Sequence, residues 1–101
     1  MLFVVLFEDE VSRGEEIRRR HMKAHMDFLE RNASTIKAAG PLLEGDGTPA
    51  GGLWVVQAAD REHVESLIRE DPFWPTGLRR SRRILAWTQV FADGLRDGAQ
   101  A

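Results

Sequence analysis

Apolar residues follow two rhythms along this chain. From Leu2 to Phe7 they are uninterrupted (LFVVLF), a β-favouring run that reads as a buried strand. Ile17, His21, Ala24 and Phe28 then recur at three- and four-residue intervals, with His25, Leu29 and Asn32 beside them, which predicts one face of a helix. Arg18, Arg19, Lys23, Asp27 and Glu30 fall largely outside that stripe. Ser12-Arg13-Gly14-Glu15, just ahead, matches a capping box, and the helix is expected to end near Asn32. Thr35 to Leu43 reads as a strand interrupted at Gly40-Pro41, where proline withholds a ladder donor and marks an edge, a bulge or a break in pairing. Glu44 to Gly52 (EGDGTPAGG) has turn chemistry throughout, and Leu53 to Ala58 reads as the next strand. Asp60 is placed to cap a second helix carrying Val64, Leu67 and Ile68 on one face, stopped at Pro72. Residues 73–78 connect to a last strand, Ile84 to Phe91.

The resulting order is strand, helix, strand, strand, helix, strand. That is the ferredoxin-like β-α-β-β-α-β arrangement, an α+β fold with a four-stranded antiparallel sheet and two helices on one face. The folded unit is expected over residues 1–91, followed by a flexible tail over 92–101. The strands are apolar on both sides: Leu2, Val4 and Leu6 against Phe3, Val5 and Phe7, and Leu53 and Val55 against Trp54 and Val56. The last strand repeats this, with Leu85, Trp87 and Phe91 against Ile84, Ala86 and Val90. Helices on one face leave the other apolar face open, so the pattern predicts a homodimer through that face.

Composition narrows the chemistry. The chain has 101 residues and no cysteine, which removes thiolate nucleophiles, disulfides and cysteine metal sites together. Fourteen basic and 16 acidic residues give a net charge of −2, with no global field for nucleic acid or an acidic membrane surface. The N-terminal apolar run is too short to span a membrane and lacks a basic flank, so a cytoplasmic location is expected.

Several local motifs, taken in order, resemble the YCII-related family of dimeric α+β barrel proteins. LFVVLFED resembles its first strand and the acidic residue after it, Asp9; HMDFL (His25 to Leu29) its helix-one histidine motif; AAGPL (Ala38 to Leu42) its second strand; DPFWPTG (Asp71 to Gly77) its Asp-Pro-aromatic segment; and AWTQVF (Ala86 to Phe91) its closing strand. Relatives often carry arginine and proline just ahead of the histidine, where this chain has His21-Met22-Lys23-Ala24. The family histidine therefore maps onto His25, with His21 as the alternative, and the aspartate thought to pair with it maps onto Asp71. Members with an assigned reaction act in aromatic catabolism, including removal of halide from chlorinated hydroquinones. Sister families include muconolactone isomerases and small cofactor-free monooxygenases.

On this reading His25 is a general acid/base and Asp71 fixes its tautomer. Asp71 sits at the negative end of a helix dipole and needs a compensating partner, which His25 would supply. Asp9, His21, Gly40, Pro41, Pro72, Phe73 and Trp74 are expected to line the pocket. Phe73 and Trp74 would wall it for an aromatic ring, and the Gly40 amide is a candidate oxyanion donor. His21 and His25, with Asp9 as a third ligand, give a competing metal reading, but Met22 stands where a zinc protease has its glutamate. No cofactor and no metal are expected. Arg79, Arg80, Arg82 and Arg83 are read as cover for an edge strand or as a basic run that pairs with the acidic residues of a partner, with steering of an anionic substrate as a lesser role. The glycines of Gly45-Asp46-Gly47 and Gly51-Gly52 lack the lysine and helix of a phosphate loop. The leading expectation is a cofactor-independent, lyase- or isomerase-like enzyme acting on a small aromatic or lactone-like molecule. The alternative is a non-catalytic dimeric protein that binds a small ligand or serves as an accessory subunit.

Overall fold

Alternation of side chains across a pleated strand decides which half of each apolar run is buried. In the computed structural model, which describes residues 1–96, Phe3, Val5 and Phe7 of strand β1 (Leu2–Asp9) point into the core. They meet Phe28 of helix α1 (Gly14–Arg31), Ile36 of β2 (Ile36–Leu43), Trp54 and Val56 of β3 (Pro49–Gln57), Val64, Leu67 and Ile68 of α2 (Arg61–Glu70), and Ile84 of β4 (Arg79–Ala86). Both helices thus cover one face of an antiparallel sheet ordered β2-β3-β1-β4, the ferredoxin-like topology. The opposite face presents Leu2, Val4, Leu6, Leu53 and Val55, each only partly covered in the single chain, and the exposed Leu85. Among the described residues no helix is long and apolar enough to cross a membrane.

The second helix follows its sequence signals. The Asp60 side chain accepts from the His63 amide at 2.9 Å, and Asp71 turns to extended backbone (φ −64°, ψ 129°) ahead of Pro72. β2 lies at the sheet edge with a register shift between Pro41 and Leu43, as its proline requires. The first helix starts differently from the capping box. Ser12 donates its amide and hydroxyl to the Glu10 carboxylate, and the N-cap residue Arg13 supplies no side-chain bond. The turn after β2 is shorter than expected: Glu44 and Thr48 close it, and Pro49 to Gly52 already belong to β3. Gly51 has φ +103°, and a Cβ there would lie 1.9 Å from the Phe7 carbonyl oxygen. These glycines therefore serve close strand approach rather than a loop.

The last long strand is displaced toward the N-terminus, to Arg79–Ala86 instead of 84–91. The arginines on its inward side are neutralised from elsewhere in the fold, Arg82 by Glu65 of α2 at 2.6 Å and Arg79 by Asp9 of β1 at 3.2 Å. Phe91–Ala92 (β5) and Leu95–Arg96 (β6) then pair as a small hairpin at the start of the expected tail. Asp93 and Gly94 between them both have positive φ (54° and 77°), as a two-residue type I′ turn demands. Residues 97–101 of that tail lie outside the described residues.

Candidate active site

Three elements converge on His25. The helical stripe of α1 turns its imidazole inward beside Phe28, where it is buried. Pro72 ends α2 so that Asp71, also buried, faces it from the helix terminus. His25 Nδ1 lies 2.8 Å from Asp71 Oδ1, which also accepts the Phe73 amide at 3.0 Å. An ionised carboxylate only accepts hydrogen bonds, so the contact places a proton on Nδ1, and in the neutral imidazole that tautomer leaves the lone pair on Nε2. The Phe73 ring stacks on the imidazole at 4.3 Å between centroids and holds its plane.

His25 forms part of the wall of a cavity of about 140 Å³ between α1, the β2–β3 edge and the start of β4. Its polar side is Asp9, Arg18, His25 and Arg79; Met22, Met26, Leu29, Trp54 and Phe73 make an apolar side. Arg79 bridges two carboxylates, donating to Asp9 Oδ1 at 3.2 Å and facing Asp71 Oδ2 at 3.6 Å, and Arg18 pairs with Asp9 from the other side. The cavity is close in size to the roughly 150 Å³ that suffices to hold a benzene ring in a protein interior.

The profile of the YCII-related domain matches residues 1–88. The chain belongs to this family. Among solved structures it is similar to 5-chloro-2-hydroxyhydroquinone dehydrochlorinase of Burkholderia phenoliruptrix AC1100, in complex with 2,5-dihydroxybenzoquinone. The TM-score is 0.75 at 26% identity, over 86% of this chain and 93% of that one. A candidate antibiotic biosynthesis monooxygenase of Bacteroides thetaiotaomicron VPI-5482 shares the fold with a TM-score of 0.56 at 15% identity, over 92% of this chain and 91% of that one. No curated protein sequence matches significantly.

Within this YCII-related fold the site residues expected from sequence divide. His25, Asp9, Gly40, Pro41 and Phe73 line the cavity, and Asp71 stands behind His25. His21, Pro72 and Trp74 do not line it. His21 lies one turn earlier on α1 and borders a separate groove with Arg13, Arg20 and Thr76. The 3₁₀ turn Trp74–Thr76 sends Phe73 inward and leaves Trp74 beneath the Arg82 guanidinium, 5.3 Å from its ring centre. Among the described residues no three His, Asp or Glu side chains converge to hold a metal ion. Sequence reasoning missed Arg18, Met22 and Met26, which share the cavity wall with His25. Their spacing carried the signal: 18, 22 and 25 fall within two turns of one helix. Arg79 was grouped with its neighbours because β4 was expected to start later; with β4 starting at 79, its place opposite Asp9 follows from the pairing register.

Proposed function

We propose that this protein is a cofactor-independent enzyme that moves protons on a small hydroxylated ring, with a lyase- or isomerase-like outcome. The observation that carries the reading is the buried His25–Asp71 hydrogen bond set at the wall of a ring-sized cavity. His25 Nε2 takes a proton from a ring hydroxyl or ring carbon and returns it to the intermediate or to a leaving group. Asp71 holds the tautomer and stabilises the imidazolium. Positioned acid–base groups of this kind contribute about 10²–10⁴-fold to rate. Similarity to a dehydrochlorinase whose structure holds a dihydroxybenzoquinone supports a hydroxylated, halogen-bearing ring as the substrate class. We also propose a homodimer through the open sheet face of Val4, Leu6, Leu53 and Val55, because a contiguous apolar surface of this kind is poorly tolerated in water.

The test is turnover of a panel of chlorinated and unchlorinated hydroxyhydroquinones and of enol-lactones, followed by chloride release and by ring absorbance. The wild-type protein converts at least one member, and His25→Gln lowers kcat about 10²–10⁴-fold. Binding of panel members without turnover would favour the non-catalytic ligand-binding alternative.

A further inference from the structure

The short hairpin of β5 and β6 has no part in the acid–base site, and it lies beyond residue 88, where the match to the YCII-related domain ends. Its local signal is strong, because Asp93-Gly94 supplies positive φ at both turn positions. A two-stranded hairpin by itself is nevertheless marginal in water. None of its residues is buried in the single chain, and none belongs to the hydrophobic core. Phe91 is 61% exposed and Leu95 70%. The pairing sets these two on opposite faces, Phe91 beside Arg96 and Leu95 beside Ala92. A hairpin that is apolar on both faces is not satisfied by lying flat on one surface. It needs two walls.

A groove of about 410 Å³ lies just ahead of it in the chain, where β1 begins and β3 and β4 end. Met1, Leu2, Ala86 and Trp87 form its apolar side, and Gln57 stands on its rim. The Trp87 amide donates to the Leu2 carbonyl at 2.8 Å and ties the strand ends together, while the Trp87 ring stays exposed. Within one chain the arm is uncovered and the groove is unfilled, although Gln89 of the groove precedes Phe91 by only two positions. A groove and its filler set side by side on one chain satisfy an isologous contact: a two-fold axis beside them puts each arm in the other copy's groove. Leu2 belongs both to this groove and to the open sheet face, so one dimer covers both apolar surfaces.

We propose that the β5–β6 hairpin is a dimerisation arm that inserts into this groove on a second copy of the chain. The inference rests on the homodimer reading above and adds the segment that is exchanged and the place that receives it. Sedimentation of wild type and of the double variant Phe91→Ser/Leu95→Ser tests it. Burying one large apolar side chain is worth roughly 10- to 150-fold in association. The double variant is therefore expected to raise the dimer dissociation constant at least about 100-fold. Its helix content should be retained, because both residues lie outside the core. A cross-link shows where the arm goes, since the chain has no cysteine of its own. Gln57→Cys and Leu95→Cys in one chain, treated with a short bismaleimide, should join position 57 of one copy to position 95 of the other, read as dimer mass under denaturing conditions and by peptide mass. A link between these positions within one chain means that the arm folds back on its own groove, and overturns the proposal. A dissociation constant within about threefold of wild type also overturns it. Wild type that sediments as a monomer would remove the homodimer reading and this inference together; a dimer that ignores the double substitution removes only the inference.

Discussion

Asp71→Asn is the smallest change that separates the charge of this residue from its shape. Asp71 Oδ1 accepts from both His25 and the Phe73 amide, and Oδ2 faces the Arg79 guanidinium. An asparagine oxygen can replace Oδ1, but its NH₂ group then points at Arg79, donor against cation. Turned the other way, the NH₂ group faces Nδ1 and the Phe73 N–H, and His25 must move its proton to Nε2. Either orientation loses a buried charge-assisted contact, worth about 1.5–3 kcal/mol. For a domain of this length the melting temperature should fall by roughly 6–20 °C. The turned orientation also removes the lone pair from the cavity side, and a comparable aspartate-to-asparagine change in a serine protease costs about 10⁴-fold in kcat through the wrong tautomer. Long-range ¹⁵N–¹H correlation of the imidazole reads the tautomer directly, with thermal melting recorded alongside. A variant of unchanged tautomer and wild-type turnover would refute the orienting role of Asp71.

Three further outcomes follow from the geometry. Gly51→Ala places a Cβ 1.9 Å from the Phe7 carbonyl at φ +103°, and should cost more than about 4 kcal/mol in urea unfolding; a near-native midpoint would contradict the close approach of β3 to β1. His21→Ala should leave the affinity for 2,5-dihydroxybenzoquinone within about twofold, because His21 borders a different groove; a larger loss, measured by titration, would reassign the site. Val4→Glu, between Val55 and Leu85 on the open face, should halve the sedimenting mass with helix content retained; a surviving dimer would place the interface elsewhere.

Local signals specified much of the framework. Apolar periodicity placed both helices, Asp60 and Pro72 bounded the second, and the uninterrupted run from Leu2 to Phe7 marked a buried strand. The pairing of His25 with Asp71, 46 residues apart, was legible through the family resemblance that maps a paired histidine and aspartate onto these positions; the unfavourable place of a carboxylate at a helix C-terminus agrees with it but would not have singled out His25. The start of β4 was not legible. Arg79 and Arg82 occupy inward positions, and their partners Asp9 and Glu65 lie 70 and 17 residues away, so the strand reads as polar until the fold brings them together. Gly51-Gly52 was hidden for a similar reason: a glycine needed for contact with another strand looks the same in sequence as one needed for a turn. Both misreadings fall beside the cavity, where long-range contacts outweigh local pattern.

The most direct test of the account is the protonation of His25 as a ring enters. Imidazole ¹⁵N resonances are recorded while 2,5-dihydroxybenzoquinone is added to the wild-type protein. If His25 takes the ligand proton with Asp71 behind it, Nδ1 remains protonated against Asp71 while Nε2 moves from an acceptor toward a protonated nitrogen in step with ligand saturation. Saturable binding that leaves Nε2 unchanged would contradict it.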